Sequence, residues 1–446
     1  MSQRRSRHPM PLVVAVALSA CGLASCGHRL NPHDGFSLKG GERIVFLGDS
    51  ITQSGLYISY LDAYLRTRFP DQRFILLNHG LNGESISGNR EAGSTTSRPN
   101  ALHRFTRDVT LWQPQVVVAA FGMNDGCYRP FDPPRFDRFK NGIHTLVDRT
   151  RNEAHASLML LTPPPFDPYR RQVRNDRAPD YCYDFPAIDY DETLKSYSHW
   201  LLSFEPETIR VADVHAAMTD HLKRRREGEV SFFLSDDAVH PNATGHWLIA
   251  QTILLAWRAP ALVAEARINA RTLQADSSAV RQIRRDGAEL QAVWRTGLPM
   301  PLDPAWDPRS VELESLSERL NRYRLAVTGL TAPHYLLRAR LADPQSHTHE
   351  ESVAGPFTRE QLAAGIDLTR LSNFPTVALA QQVLGLILEL RSAQDARWRD
   401  LRTRTRAEIA NSLALETDDL MNQRIQRLCQ PRDIELRLSP FDPEGS

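Results

Sequence analysis

The chain has 446 residues, enough for one large domain and a second beside it. Its 54 Lys and Arg nearly balance 53 Asp and Glu, so no one-signed field is present to hold nucleic acid. Apolar residues make up 41% of the chain, the ordinary share for a globular protein.

Residues 1–26 read as an export signal. Arg4, Arg5, Arg7 and His8 form a basic start, and 11–20 is an apolar run ending in small residues, the pattern of a signal rather than a spanning helix. Leu18-Ser19-Ala20-Cys21 and Leu23-Ala24-Ser25-Cys26 both resemble a bacterial lipobox. That resemblance implies cleavage before a cysteine that then carries lipid, Cys21 or Cys26; the alternative is simple cleavage. The expectation is an exported protein, periplasmic or held at the outer membrane as a lipoprotein. Residues 27–41 are a polar linker bearing Gly and Pro.

A domain over 42–258 follows. Ile44, Val45, Phe46 and Leu47 form an unbroken apolar run, which predicts a buried parallel strand. Gly48 stops it, Asp49 and Ser50 sit on the turn, and a helix is expected over 55–68. Strands are expected at 74–78, 115–121, 157–161 and 208–213, with helices at 134–152 and 241–257. Strands alternating with helices predict a doubly wound parallel α/β sheet. Residues 163–191 form a long connection without periodicity, the kind that is usually functional or disordered. It carries Tyr169, Tyr181, Tyr183 and Tyr190 among charged groups, and a rim at the site is expected of it.

The segment 259–446 reads as a C-terminal α+β extension. A helical stretch is expected over 261–295, a β-hairpin from 321–328 and 334–341 around Thr331-Ala332-Pro333, and a capping box at Thr358 and Gln361. Long helices are expected over 377–401 and 405–427, followed by a loose polar tail after Pro431.

Four separated stretches fall after strands or at helix starts on one sheet edge: Gly48-Asp49-Ser50, Asn82-Gly83-Glu84, Gly122-Met123-Asn124-Asp125 and Asp237-Ala238-Val239-His240. Together they supply the parts of acyl transfer. Ser50 is a nucleophile that needs a base. His240 supplies one, because neutral imidazole accepts a proton near physiological pH. Asp237, three residues earlier, is spaced to take the imidazole N–H and fix the tautomer. The tetrahedral oxyanion needs preorganised donors, here the Ser50 N–H, the Gly83 N–H and the Asn124 side-chain amide. Asp49 and Asp125 read as structural, and His79 as a satisfied histidine near the site. His347 and His349 read as part of a solvated loop rather than a metal site.

This ordered set resembles the SGNH (GDSL) hydrolase superfamily over about residues 42–257, with Ser50, Gly83, Asn124 and His240 on its four named positions and Asp237 completing the triad. The wording of the blocks is closest to exported bacterial GDSL-type esterases. The resemblance implies a flavodoxin-like sheet, a serine ester hydrolase, and no metal or other cofactor. The function expected first is an extracytoplasmic carbohydrate O-acetylesterase, with the tyrosines Tyr169, Tyr181 and Tyr183 offered to sugar faces and hydroxyls. The alternative is a lipid-directed esterase of lysophospholipase or lipase type, which calls for an apolar groove and lid. A non-catalytic binding protein is the third. The expected partner is an acylated small molecule or polysaccharide, with no nucleic acid, and the membrane reached only through a lipid anchor.

Export permits disulfides. Cys127 and Cys182 both lie on segments leaving the same sheet edge, and a bridge between them is expected; Cys429 would be left over.

Overall fold

The computed structural model describes residues 37–92, 94–173, 180–205, 209–342, 351–401 and 420–443. Cys21, Cys26, His347 and His349 lie outside these residues. Strand β1 (Arg43–Gly48) is central to the first sheet because its side chains are apolar on both faces. Ile44 and Phe46 enter one core, Val45 and Leu47 the other. Burial of such a side chain stabilises by roughly 1.5–3 kcal/mol, so a run of four fixes the strand inside.

β1 pairs in parallel with β2 (Ile75–Gly80) and β3 (Val116–Ala120), and β4 (Ser157–Leu161) and β5 (Arg210–Ala212) continue the sheet in the order β2-β1-β3-β4-β5. Gly48 is level with Gly80 on one side and Ala120 on the other. The loops after β1, β2 and β3 therefore leave the sheet at one height. The strand order reverses direction between β1 and β3, which is where open α/β sheets form their ligand crevice. Helix α1 (Ser50–Ser54) starts directly above that crevice, and α2 (Leu56–Arg68) runs back along the sheet. A Cβ at Gly80 would lie 2.2 Å from the Gln53 nitrogen, so only glycine lets α1 sit against the end of β2.

The extension departs from expectation in three places. Residues 261–295 form no helix. They form β6 (Leu262–Asn269), β7 (Gln274–Ala275), β8 (Val280–Asp286) and most of β9 (Glu289–Thr296). The stretch is rich in Arg and Ala, which reads as helix, but its burial alternates: Ala266 and Ile268, then Leu290, Ala292 and Trp294 face inward. The expected hairpin is two strands in different sheets. β10 (Arg322–Thr328) lies in the order β13-β10-β6-β7, with β13 at Ile366–Asp367. β11 (His334–Leu341) lies in the order β12-β11-β14-β9-β8, with β12 at Ser352–Thr358. Alternating faces look alike whether two strands pair edge to edge or pack face to face, and here they pack face to face. Third, the tail is not loose: β14 (Arg432–Pro440) lies between β11 and β9, with Ile434, Leu436 and Leu438 buried. The two sheets enclose a common core that includes Ile268, Trp294, Leu325, Leu337 and Leu436. The capping box at Thr358 and Gln361 is present.

The helix Pro375–Leu401 ties this sandwich to the first sheet. Its Val383, Leu384, Ile387 and Leu390 join the core that contains Ile44, Phe46 and Tyr57. Arg391 pairs with the buried Asp62 of α2 at 2.7 Å. Further along, Asp395 accepts from Asn78 at 3.1 Å, and Trp398 stacks on His79 with ring centroids 4.9 Å apart. The extension thus braces the end of β2, the strand that leads into the Gly83 loop.

Candidate active site

Ser50 is the first residue of α1, and it does not cap the helix. Asp49 does, its Oδ1 accepting from the Ile51 N–H at 3.0 Å. Burial pushes the Asp49 carboxyl up to about 7. The Ser50 hydroxyl is left to face His240, with Oγ 2.8 Å from Nε2. His240 Nδ1 lies 2.6 Å from Asp237 Oδ2. Residues 190 apart in sequence meet because β1 and the segment before the helix Ala243–Ala256 end at the same sheet edge.

The Asp237-to-His240 turn is tightly specified. Asp237 Oδ1 accepts from the Val239 and His240 backbone N–H groups at 3.1 and 2.8 Å. Ala238 has φ +74°, a conformation costly for an L residue and found mostly where function holds it. Partial burial works against the Asp237 charge, but the His240 ring, two backbone N–H groups and the Tyr183 hydroxyl outweigh it and hold the carboxyl well below its usual range. The hydrogen bond to Asp237 raises His240, burial opposes it, and the Asp237 and Asp49 charges add to the rise; the net shift is upward.

The other two blocks are tied to each other. Asn124 Nδ2 donates to the Glu84 carbonyl at 2.9 Å, using one of its two hydrogens. Asp125 is fully buried; its Oδ1 accepts from the Ile86 and Ser87 N–H groups at 3.0 and 2.9 Å, and its Oδ2 from Gly122 N–H at 3.0 Å. Asp125 therefore clamps the loop after β3 onto the loop after β2. Gly83 sits at φ +72°, with its carbonyl held by Arg98 Nη1 at 2.9 Å. Glu84 accepts from both Nε and Nη2 of Arg104, whose Nη1 donates to Asp108. His79 Nδ1–H donates to the Asp108 backbone carbonyl at 2.6 Å; the ring is buried and pushed down to about 4 by that burial, so it is a packing histidine.

The rim differs from expectation. Tyr181 and Tyr190 are buried, so neither presents a face to a substrate. Tyr169 is 84% exposed. Tyr183 is turned onto Asp237, its hydroxyl 2.8 Å from Oδ2. The expected disulfide is absent: Cys127 and Cys182 are both free. Cys127 is buried, directed at the Asp125 carbonyl and contacted by Arg135 Nη1 at 3.2 Å, while Cys182 is held in a local turn with Phe185. Each segment is fixed by its own contacts, and leaving the same edge does not bring the two sulfurs together.

Arg98, Arg104, Tyr128 and Arg171 surround these groups; Arg171 belongs to the expected rim, and the other three carry no signal in the sequence. They lie in polar stretches whose spacing carries no period, so only the fold brings them in. A second serine–histidine–carboxylate contact lies elsewhere. His221 Nε2 is 2.8 Å from Ser310 Oγ, and Nδ1 is 2.9 Å from Glu314 Oε1. All three are buried and Ser310 donates to Asp307 at 2.6 Å, so this set is a clasp between two helices rather than a reactive site.

Residues 46–248 match the model of the GDSL-like Lipase/Acylhydrolase family, and the chain carries a domain of that family, which makes it an ester hydrolase. It is similar to an acetylxylan esterase of Geobacillus stearothermophilus, 24% identical over 232 residues that span 48% of this chain and 93% of that one. A solved structure of a gut microbial diltiazem-metabolizing enzyme is 20% identical and covers 91% of this chain and 100% of its own, with a TM-score of 0.71. The hydrolase sheet together with the β-rich extension is thus an architecture both chains share.

Proposed function

We propose that this chain is a serine O-acetylesterase acting on acylated carbohydrate outside the cytoplasm. The observation that carries the mechanism is the continuous contact from Ser50 through His240 to Asp237, at 2.8 and 2.6 Å. His240 takes the Ser50 proton as the hydroxyl attacks the ester carbonyl, and returns it to the leaving alcohol. Asp237 holds the Nδ1 proton and stabilises the imidazolium. Ser50 N–H, Gly83 N–H and the second Asn124 amide hydrogen receive the oxyanion. Water, deprotonated by the same histidine, then releases the acid.

One observation supports a short acyl group on a sugar: the related Geobacillus protein is named an acetylxylan esterase. Anchorage at the outer membrane through Cys21 or Cys26 belongs to the same proposal. Among the described residues no helix is long and apolar enough to cross a membrane. A panel of acetyl, butyryl and long-chain p-nitrophenyl esters beside acetylated xylan fragments tests the substrate class. Acetyl esters should be the best substrates; a preference for long chains would favour the lipid-directed alternative.

Hydrolysis should rise with pH as His240 loses its proton, because only the neutral ring is a base. Its pKa is raised, so the midpoint should lie above about 6.5. Asp237, Asp49, Arg171 and His246 are the charged or titratable groups acting on it. A kcat/KM profile already flat below pH 6 would contradict this assignment. Asn124→Ala should lower kcat about 10²–10³-fold, the usual cost of one oxyanion donor. A loss confined to KM would make Asn124 a ground-state contact.

A further inference from the structure

Asp237 and Asn124 belong to different limbs of the site, one to the acid–base relay and one to the oxyanion donors. Two tyrosines outside the four sequence blocks join them. Tyr183 donates its hydroxyl to Asp237 Oδ2 at 2.8 Å, the same oxygen that holds His240 Nδ1. Tyr128 places its hydroxyl 2.9 Å from Asn124 Oδ1. The direction of that second bond follows from chemistry. The Glu84 carbonyl can only accept, so the Asn124 nitrogen must face it. The Asn124 oxygen then faces Tyr128, whose O–H must donate.

The two rings touch edge to face, with centroids 5.5 Å apart at 73°. Each is covered by a guanidinium: Arg171 lies 3.8 Å above Tyr183, and Arg98, which also holds the Gly83 carbonyl, lies 5.6 Å from Tyr128. Tyr128 and its neighbour Cys127 both have positive φ, 57° and 52°, a pairing that L residues seldom adopt. The backbone is bent so that the Tyr128 ring lies between Tyr183 and Asn124.

We propose that Tyr183 is a positioning residue that locks the Asp237 carboxylate, and that Tyr128 does the same for the Asn124 amide, so that one aromatic pair sets the relay and the oxyanion donors in mutual register. This rests on the serine-esterase reading above. Asp237 accepts four hydrogen bonds, two at each oxygen, and so cannot rotate about its Cβ–Cγ bond. Loss of the Tyr183 hydroxyl frees it and returns charge to the oxygen that faces His240. Tyr183 is therefore a part of the relay and not a sugar platform.

The test is steady-state kinetics on p-nitrophenyl acetate across pH for wild type, Tyr183→Phe, Tyr128→Phe and Ser50→Ala, with thermal melts alongside. Phenylalanine keeps each ring and its stacking. Tyr183→Phe should lower kcat about 10-fold with KM unchanged, the scale of one hydrogen bond to a charged group. It should also move the acid limb of kcat/KM to higher pH, because the carboxylate charge acts more fully on His240. Tyr128→Phe should lower kcat by a similar factor with the acid limb unmoved. The proposal stands or falls on Tyr183→Phe, which keeps the partly buried ring and so leaves the fold little disturbed. Unchanged kcat and midpoint would overturn it, and so would a raised KM alone, which would return Tyr183 to substrate contact. Ser50→Ala separates the two levels. If it is inactive while Tyr183→Phe behaves as wild type, only the positioning role fails; if it is active, the nucleophile assignment itself fails.

Discussion

Ser50→Ala is expected to lower kcat by about 10⁶-fold while leaving substrate affinity and the fold in place. The size follows from the way the three groups act together. Without Oγ there is no acyl-enzyme, and His240 and Asp237 are left with no nucleophile to activate. What remains is the stabilisation that the oxyanion donors give to a slow attack by water. The fold should survive because α1 is capped by Asp49 and not by Ser50. The Asp125 clamp and the Arg104 grip on Glu84 are also untouched. The purified variant should therefore melt like wild type and still bind substrate. Rates within a few fold of wild type would remove Ser50 from the chemistry.

Asp237→Asn is expected to cost about 10⁴-fold in kcat, although the replacement has nearly the same shape. The reason is the tautomer. The Asp237 carboxylate accepts the Nδ1 proton, which leaves Nε2 bare toward Ser50 at 2.8 Å. An asparagine that turns its amide nitrogen to Nδ1 donates instead, and the ring proton moves to Nε2. The Ser50 hydroxyl then has no acceptor. The asparagine side-chain oxygen can still receive the Val239 and His240 backbone N–H groups, so the turn should persist. Kinetics beside a melting curve checks both statements. A loss below about 10-fold would mean that His240 keeps its tautomer without Asp237, and would remove Asp237 from the relay.

The first sheet was legible in the sequence because its strands are buried on both faces. Runs such as those around Ile44 and Val117 have no exposed alternative, and the glycines after them mark where each strand ends. The site was legible for a related reason. Acyl transfer calls for particular atoms at one sheet edge; Ser50, Gly83 and Asn124 stand just beyond strands, and Asp237 and His240 just before a helix.

The sandwich was harder to read. Its strands are apolar on one face only, and their outer faces carry Arg and Glu, the same residues that favour helices. In β14, Ile434, Leu436 and Leu438 are separated by charges, so a central strand resembled a polar tail. Whether β10 and β11 pair or pack depends on partners such as Leu262 and Pro440, well outside the local stretch, and no local pattern holds that information. Tyr183 was visible as an aromatic in a polar rim, but its target, Asp237, is 54 residues further on. Asp125 looked like a turn residue, and its job as a clamp appears only when the loops after β2 and β3 are seen side by side.

The central claim is that Ser50 is the nucleophile activated by His240. Reaction of the native protein with a fluorophosphonate ester, followed by peptide mass mapping, tests it most directly. Such reagents trap a serine hydroxyl only where a base and oxyanion donors activate it. The account predicts one phosphonate adduct, on the peptide containing Ser50, formed in step with loss of esterase activity and absent from the unfolded chain. Loss of activity with Ser50 unmodified, or an adduct confined to another serine such as Ser54 or Ser310, would contradict it.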